Sequence, residues 1–325
     1  MGKTLVTGAS GFTGSHLASR LAREGRSVVS FVRPTSDVSA LEESGIECRV
    51  ADIRERRSVE AAFEGISDVY HVAAAYRTEH ADRDEFRRVN VDATRHLLDA
   101  SIAAAVRRFV HCSTVGVQGN IDDPPATEAY RVAPGDHYQE TKLEGERLAL
   151  SYAGRLPLSV VRPVGIHGPG DRRFLKLFRA VDRMRFVMIG SGRTLYHMTY
   201  IDDLVDGFLL AGTRPEALGE VFTIGGARYT TLNELVGLIA DVLGRPRPRL
   251  RIPMAPIHAA AVACEAVFTP LGLNPPLYPR RVEFFRNDRA FDISKARRLL
   301  GYQPRVDLEE GLRRTAEWYR RHGWI

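Results

Sequence analysis

Two side chains that could exchange a proton with a substrate lie four residues apart in a segment with the periodicity of a helix, residues 136–152. At this spacing Tyr138 and Lys142 share one face of the helix. A tyrosine has a pKa of about 10 in water, too high for a base near neutral pH, and a neighbouring ammonium favours its phenolate form. We predict that the pair acts as acid and base. A tyrosine and a lysine that only share an exposed helix face are the alternative.

Two hydroxyl side chains, Ser113 and Thr114, come at the end of a short apolar run over residues 109–113 that is typical of a buried strand. A hydroxyl at the end of such a strand can hydrogen-bond the substrate oxygen that Tyr138 protonates or deprotonates. We predict this role for Thr114 and keep Ser113 as the reserve. The alternative is that both hydroxyls only satisfy nearby backbone groups.

A glycine-rich turn joins the first apolar run to the first amphipathic segment, in the order Thr7-Gly-Ala-Ser-Gly-Phe-Thr-Gly14. Glycine permits a tight turn and a close approach of the backbone to a pyrophosphate, and the following helix supplies amide donors and a favourable dipole. The combination predicts a dinucleotide site, with an oxidised nicotinamide adding positive charge beside Tyr138. The residues expected to contact the dinucleotide at this turn are Gly8, Ser10, Gly11, Phe12 and Gly14.

The end of the second predicted strand indicates which dinucleotide is bound. NAD-specific folds place a carboxylate there to bind the ribose hydroxyls of the adenosine. This chain has Arg33 instead, with Ser36 close by, and a guanidinium flanked by hydroxyls suits a 2′-phosphate. NADP is therefore favoured over NAD. The alternative is that Arg33 only stacks on the adenine.

The elements that must position these residues alternate between short β-branched runs and helical patterns in the first half of the chain. Such alternation predicts an α/β fold with a doubly wound parallel sheet of the Rossmann type. The predicted strands cover residues 3–6, 27–33, 47–50, 68–72, 109–113 and 158–162, and the predicted helices cover residues 12–23, 58–63, 84–106 and 136–152.

The second half of the chain is less regular. It contains a late strand over 221–224 and a terminal amphipathic helix over 307–321. A further helix opens at the capping box Thr231-Leu-Asn-Glu234 and runs to about residue 243. These elements predict a smaller C-terminal α/β lobe that binds the substrate and closes over the carboxyl ends of the strands.

The domain boundary follows from this change in regularity. We predict a dinucleotide-binding domain over residues 1–163, with later contributions from about 197–225. The substrate-binding lobe is then formed by residues 164–196 and 226–325.

Charge and cysteine content argue against other classes of protein. The net charge of +6 is spread along the chain without the basic stripe or the motifs of a nucleic-acid-binding protein. Cys48, Cys112 and Cys264 are scattered and odd in number, which predicts reduced thiols and no metal site. The chain begins without the apolar region of a signal peptide, and its longest apolar stretch is interrupted by prolines. We expect a cytoplasmic enzyme with a small-molecule substrate.

The chain resembles the extended short-chain dehydrogenase/reductase superfamily over nearly its whole length. The motifs that carry this resemblance are Thr7-Gly8-x-x-Gly11-x-x-Gly14, Asp52-Ile53, His71-Val-Ala-Ala74, Asn90-Val-Asp-Ala-Thr94, Ser113-Thr114, Tyr138-x-x-x-Lys142, Arg162-Pro163 with Gly168-Pro-Gly-Asp171, Tyr200-Ile-Asp-Asp203 and Phe291-Asp-Ile-Ser-Lys-Ala296.

The resemblance implies roles for individual residues. Asp52 and Ile53 would lie beside the adenine, and Ala73 would line the cofactor. Lys142 would bind the nicotinamide ribose, while Thr114 and Tyr138 would contact the substrate. Ser113 and Pro163 are also expected at the cofactor. A homodimer formed through the helices near 84–106 and 136–152 is implied as well.

Two branches of this superfamily are characterised by residues that this chain lacks. Its nucleotide-sugar dehydratases place acids just after the active hydroxyl, where this chain has Val115-Gly-Val117, so elimination is disfavoured. Its nucleotide-sugar epimerases commonly bind the sugar diphosphate through one asparagine and two arginines. This chain has Gly165, Tyr196 and Glu283 at those positions, which would leave a diphosphate poorly paired. Other arginines could bind the diphosphate in place of the missing residues, and the argument against an epimerase would then not hold. The candidates are Arg172, Arg173 and Arg280.

Other segments resemble the 3β-hydroxysteroid dehydrogenase-like branch. They are Arg162–Asp171, Ile189–Tyr196 and an apolar segment around 259–271. In that branch the apolar segment would cover a hydrophobic substrate or contact a membrane surface peripherally, and a plain core helix is the alternative.

Three hypotheses follow. The leading one is an NAD(P)-dependent oxidoreductase that interconverts a secondary alcohol and a ketone, with Tyr138 as acid and base. The second is a 4-epimerase of UDP-sugars that uses the same hydride chemistry without net oxidation. The third is a non-catalytic redox sensor on the same fold, which the intact set of Thr114, Tyr138 and Lys142 disfavours.

Overall fold

The computed structural model describes residues 2–76, 83–268, 273 and 282–325. Its strands, in chain order, are β1 Lys3–Thr7, β2 Val28–Val32, β3 Glu47–Val50, β4 Ile66–His71, β5 Arg108–Cys112, β6 Leu158–Pro163, β7 Gly165–His167, β8 Met188–Ile189, β9 Leu195–Tyr200, β10 Val221–Ile224, β11 Tyr229–Thr231 and β12 Arg251–Ile252. Its α-helices are α1 Phe12–Arg23, α2 Ser39–Glu43, α3 Arg56–Ala62, α4 Arg83–Arg87, α5 Ala93–Ala103, α6 His137–Ser151, α7 Leu175–Asp182, α8 Ile201–Thr213, α9 Leu232–Leu243, α10 Met254–Phe268 and α11 Leu308–Arg321.

The central sheet has seven parallel strands in the order β10-β6-β5-β4-β1-β2-β3. The chain therefore reverses its direction of winding between β1 and β4, and ligands of such sheets bind at this switch point. The predicted doubly wound α/β fold is confirmed.

Helices cover both faces of this sheet because its strands are apolar on both sides. All residues of β2 and of β6 are buried. On one face α1 and α8 pack their apolar stripes, for example through Leu17 and Phe208. On the other face Leu97 of α5 and Ala149 of α6 belong to a second cluster with the strands. This burial is the main force that holds the site-bearing strand ends in register.

The elements after β6 form two small sheets and a third apolar cluster. Strands β11, β9 and β7 form one sheet, and β12 pairs with β8. Helices α7, α9 and α11 pack together through residues such as Phe178, Leu235 and Tyr319. Half of the predicted capping box is present: the Thr231 hydroxyl accepts the Glu234 amide at 3.1 Å, whereas the Glu234 carboxylate accepts from Arg228 at 2.6 Å, and α9 ends at Leu243 as predicted.

Two segments differ from the expectations. The helix predicted over 84–106 is divided into α4, a π-helical turn over Arg88–Asp92, and α5. The apolar segment is not a plain core helix, since within α10 only Ala261 is buried and Val262 and Val267 are 47% and 58% exposed. Residues 269–272 of that segment lie outside the described residues. No helix in the described parts of the chain is long and apolar enough to cross a membrane.

A buried ion pair joins α6 to the sheet. Both nitrogens of one edge of the Arg162 guanidinium donate to the Glu146 carboxylate, at 2.9 and 2.5 Å, and both side chains are buried. The third nitrogen, Nη1, donates to the Glu128 carbonyl at 3.2 Å. Because each charge depends on the other for its solvation, the pair tolerates the loss of neither partner.

We predict that Glu146→Gln lowers the free energy of unfolding by about 3–5 kcal/mol, because it leaves the Arg162 charge buried and uncompensated. Chemical denaturation measures this loss. The matched control is Glu144→Gln on the same helix, where the pair with Arg87 is half-exposed and should contribute less than about 1 kcal/mol. Equal losses in the two variants would contradict the role given to the buried pair.

Candidate active site

The predicted site residues follow the carboxyl ends of neighbouring strands. Because those strands are parallel, their carboxyl ends meet at one edge of the sheet. In the order of the strands β1 to β6, the residues at this edge are the turn Gly8–Gly14, Arg33, Asp52 with Ile53, Ala73, Ser113 with Thr114, and Pro163.

The glycine turn brings three backbone segments into direct contact. Gly8 has a φ of +74°, and a Cβ there would lie 2.8 Å from the backbone nitrogen of Ala73. A Cβ on Gly14 would lie 2.2 Å from the Gly8 carbonyl oxygen. The Gly11 amide donates to that same oxygen at 2.9 Å. Side chains at Gly8 and Gly14 would therefore push apart β1, α1 and the segment after β4.

The start of α1 and the end of β5 both fit a bound dinucleotide. Helix α1 has no side-chain cap and no acidic residue in its first turn, so its amides and dipole can serve an anion. The Ser113 hydroxyl oxygen is buried and has no hydrogen-bond partner within the described structure. A ligand that supplies a polar atom at Ser113 would remove this deficit.

The two charged side chains expected near the adenosine, Arg33 and Asp52, differ in whether another residue of the protein already pairs with them. Arg33 is exposed, and its backbone amide donates to the Ser36 hydroxyl at 3.2 Å. Asp52 is paired with Arg54 at 2.6 Å, and hydrogen bonds from Arg54 lower the pKa of this carboxyl. Arg54 also reaches Glu85 at 3.1 Å. The charge of Asp52 is thus already compensated by the protein, whereas Arg33 remains open to solvent.

A chain of buried hydrogen bonds ties the end of β1 to the end of β4. The Thr94 hydroxyl donates to the Asn90 carbonyl, so it must accept from Nε2 of His71 at 2.9 Å. Nδ1 of His71 then accepts the Thr7 hydroxyl at 2.8 Å. The Thr7 oxygen in turn accepts the backbone amides of Val72 and Ala73, both at 3.2 Å. The ring is neutral in this assignment, as expected because burial lowers the pKa of His71 to about 3.

Asn90 extends this chain to the helix that carries the proposed acid and base. Its side-chain oxygen accepts the Ala75 amide at 2.9 Å, and its side-chain nitrogen donates to the Thr141 hydroxyl at 3.0 Å. Gly145 lets α6 approach the turn that contains Asn90, since a Cβ there would lie 2.4 Å from the Asn90 carbonyl oxygen. The segment after β4 and helix α6 are therefore held in fixed relation.

Tyr138 and Lys142 lie on α6 at this edge of the sheet. Lys142 is only 2% exposed, and its Nζ donates to the Cys112 carbonyl at 2.5 Å. Burial lowers the pKa of Lys142, against the opposing effects of Cys112 and Glu146. Tyr138 is half-buried one turn earlier, and its ring meets the Tyr76 ring edge to face with centroids 5.1 Å apart.

The Thr114 hydroxyl is prepared to donate. Its oxygen caps the short 3₁₀ turn Val115–Gln118 by accepting the Gly116 amide at 3.1 Å. A hydroxyl that already accepts from the backbone retains its proton for another acceptor. The structure thus brings a hydroxyl donor, a phenol and a buried ammonium to one edge of the sheet, which is a set suited to proton exchange with an alcohol or ketone.

Sequence reasoning did not identify Arg173 and Tyr76 as partners. The Arg173 guanidinium lies over the Tyr76 ring, with Cζ 5.7 Å from the ring centroid, and its Nη2 donates to the Ile166 carbonyl at 3.0 Å. The motif Gly168-Pro-Gly-Asp171 ends two residues before Arg173. This motif is one of those that carry the family resemblance, but the sequence did not indicate that the Arg173 side chain contacts Tyr76.

The residues that replace the diphosphate-binding set are also placed by the structure. A Cβ on Gly165 would lie 3.0 Å from Cε1 of Tyr196, so the tyrosine ring occupies the space beside this glycine. Tyr196 packs edge to face with Phe174 and Phe284, at 6.1 and 5.4 Å between centroids. Arg172 lies over the ring of Trp324, and Arg280 lies outside the described residues.

Comparisons with known proteins agree with this geometry. The chain is 32% identical to sterol demethylase protein B of Methylococcus capsulatus over 99% of both chains. It is 31% identical to a 3-beta-hydroxysteroid dehydrogenase of Mycolicibacterium neoaurum, over 98% of this chain and 92% of the relative. A UDP-glucose 4-epimerase of Thermotoga maritima, solved with UDP-glucose, superposes with a TM-score of 0.80 at 25% identity over 98% of this chain and 99% of that one.

A family model extends this agreement to most of the sheet. The model of the NAD dependent epimerase/dehydratase family matches residues 4–225, which include all seven strands of the central sheet except Lys3, the first residue of β1. The chain therefore belongs to this family of NAD-dependent enzymes, in agreement with the resemblance of its motifs to the extended short-chain dehydrogenases/reductases.

Proposed function

We propose that the enzyme interconverts a secondary alcohol and a ketone, with NADP as the cofactor and an apolar ring system as the rest of the substrate. The single observation that favours this over sugar epimerisation is the Tyr196 ring beside Gly165, where a nucleotide-sugar enzyme would need a polar donor. The relatives named for steroid and sterol chemistry support the same substrate class.

The chain's own residues manage the proton in this reaction. In the oxidative direction Tyr138, as phenolate, accepts the proton of the substrate hydroxyl, and in the reductive direction it returns it. The Thr114 hydroxyl donates a hydrogen bond to the same substrate oxygen. The nicotinamide, when bound, accepts or supplies the hydride of the carbinol carbon. Lys142 keeps a positive charge below the site and binds the ribose through the donors that its bond to Cys112 leaves free.

An aromatic wall supports the assignment of an apolar substrate. Tyr196, Phe174 and Phe284 form one group of rings that packs with the third apolar cluster, and Tyr196 lies beside Gly165. These rings offer dispersion contacts and few donors for the oxygens of a sugar. The same wall would leave the charges of a diphosphate unpaired.

The second candidate function is a 4-epimerase of UDP-sugars. It is supported by the similarity in fold to the Thermotoga maritima enzyme and by Arg173, a cation at the site that could pair with a phosphate. The two functions differ in whether the cofactor is consumed in net turnover.

The preference for NADP rests on Arg33. Its side chain is exposed at the end of β2, and the Ser36 oxygen accepts the Arg33 amide, which leaves the Ser36 proton available for a phosphate oxygen. Asp52, the carboxylate expected beside the adenine, is already paired with Arg54, which argues against its use as an acid that binds the ribose hydroxyls.

Three further proposals concern the organisation of the molecule. We infer that residues 1–163, with later contributions from about 197–225, bind the dinucleotide, and that 164–196 and 226–325 form the substrate lobe. The exposed apolar surface of α10 is proposed to contact a membrane peripherally or to lie beside an apolar substrate. A homodimer through the surfaces near 84–106 and 136–152 is expected from the family alone.

We predict that Tyr138→Phe lowers kcat/KM for any alcohol or ketone substrate by at least about 100-fold, because the proton carrier is lost. Binding of NADP, measured by thermal shift, should persist. Tyr229→Phe, which alters a partly exposed tyrosine on β11, should retain full activity. An active Tyr138→Phe enzyme would contradict the site assignment.

Arg33→Ala should weaken NADP binding about tenfold or more, as expected when a charged hydrogen bond to the 2′-phosphate is removed, and should leave NAD binding unchanged. Titration calorimetry with both dinucleotides makes the comparison within one protein. Arg183→Ala, at an exposed arginine after α7, is the control. A wild-type enzyme that binds NAD more tightly than NADP would refute the preference.

Added UDP should not raise the melting temperature of the NADP-saturated enzyme. A nucleotide present at about 100 times its dissociation constant would stabilise the fold by about 2.7 kcal/mol, a shift that is readily measured. A clear shift with UDP, GDP or dTDP would make sugar epimerisation the leading function. Its absence leaves sterols and other apolar alcohols as the substrates to screen.

A further inference from the structure

A second cation lies at the proposed catalytic tyrosine, on a part of the chain far from Lys142 in sequence. Arg173 covers the face of Tyr76, with Cζ 5.7 Å from the ring centroid, and the Tyr76 ring meets the Tyr138 ring at 5.1 Å. The three side chains thus form a continuous contact from the start of α7 to α6.

We propose that Arg173 is a positioning residue for the proton transfer, and that its charge, next to the Tyr76 ring that contacts Tyr138, stabilises the phenolate of Tyr138 in addition to the charge of Lys142. The proposal rests on the function proposed for Tyr138 and adds a residue that the sequence motifs do not assign.

The guanidinium is fixed by the protein before any ligand binds. Nη2 donates to the Ile166 carbonyl at 3.0 Å, and Nε lies 3.6 Å from the Asp171 carboxylate. Asp171 is itself buried and accepts the backbone amides of Arg173 and Phe174, both at 3.0 Å. A charge held in this way needs little reorganisation when a phenolate forms nearby.

Electrostatic coupling in the structure agrees with this geometry. The Arg173 side chain is still 36% exposed; its partial burial opposes the charge, yet Tyr76, Asp171, Tyr196 and Tyr138 together outweigh this effect and raise the pKa of the guanidinium. Lys142, by contrast, is coupled to Cys112 and Glu146 and is bonded to the Cys112 carbonyl. The two cations therefore have different immediate partners.

Other charged groups near Tyr138 have partners of their own. On α4, Phe86 faces the tyrosine at 6.5 Å between centroids. The titratable groups around this site, with their partners, are Glu85 with Arg54, Arg87 with Glu144, His137 with Glu140, Asp171 with Arg173, Tyr76 under Arg173, and the half-buried Cys112 beside Lys142. Asp171 is the carboxylate that most directly reduces the field of Arg173.

The test is an ultraviolet titration of the phenolate in the full-length protein without added ligand. Subtracting the titration of Tyr138→Phe from that of the wild type isolates Tyr138. The same subtraction is repeated in the Arg173→Gln background, since glutamine can still donate to the Ile166 carbonyl. We expect the Tyr138 midpoint to rise by about 0.5–1 pH unit. Arg173→Lys should restore most of the shift.

Arg172→Gln is the matched control, because Arg172 precedes Arg173 and lies over Trp324 instead. It should leave the midpoint unchanged. If Arg173→Gln does not fold, as judged by circular dichroism, Asp171→Asn tests the opposite sign and should lower the midpoint. A folded Arg173→Gln with an unchanged midpoint, or an Asp171→Asn midpoint that does not fall, overturns the proposal.

The titration needs no substrate, so its outcome is separate from that of the proposed function. Activity that survives Tyr138→Phe would remove the proposed function whatever the titration shows. With an alcohol substrate in hand, Arg173→Gln should move the acidic limb of the kcat/KM profile to higher pH and recover activity above it. A loss that is the same at every pH would indicate a structural role and overturn the proposal.

Discussion

The burial of one ammonium group under the end of β5 is the constraint on which the site depends. The Lys142 ammonium is shielded from water, and in the described structure its Nζ donates instead to the backbone carbonyl of Cys112. The carboxylate one turn further along α6, Glu146, is committed to Arg162. Helix α6 can therefore dock in only one rotation and at one height on the sheet, and that docking brings Tyr138 to the strand ends.

The same docking explains several local departures from regular structure. Helix α6 approaches the turn at Asn90 so closely that Gly145 has no room for a side chain. The chain at Asn90 adopts a π-helical turn, which directs the asparagine side chain to both Ala75 and Thr141. From Thr141 back to Thr7 the polar groups form a nearly continuous path of hydrogen bonds, so the ends of β1 and β4 and the start of α6 move as one unit.

Much of this half of the molecule could be predicted from the sequence because its signals are local. Helix α1 and strands β3 and β10 have the predicted bounds, and Thr231 caps α9 as its motif indicates. The division of the helix near residue 90 could not be predicted, since it results from contact with α6, which lies some fifty residues later. The sequence named Arg173 as a candidate for binding a diphosphate but could not show its contact with Tyr76, because Tyr76 and Tyr138 come from distant segments and no periodicity links them to Arg173.

The dinucleotide side of the molecule is easier to predict from the sequence than the substrate side, and the difference has a chemical cause. A dinucleotide presents the same phosphates and ring to every member of the family, so glycines, a helix start and a Tyr–Lys pair recur at readable spacings. The substrate side is built by long-range contacts, and here an aromatic ring has taken the space beside a glycine on β7. Under the proposed function, a tyrosine at position 196 in place of a polar donor selects a different substrate, while Tyr138, Lys142 and Thr114 stay the same. On this proposal, local sequence at the sheet edge encodes the reaction, whereas the choice of substrate depends on the long-range pairing of β7 with β9.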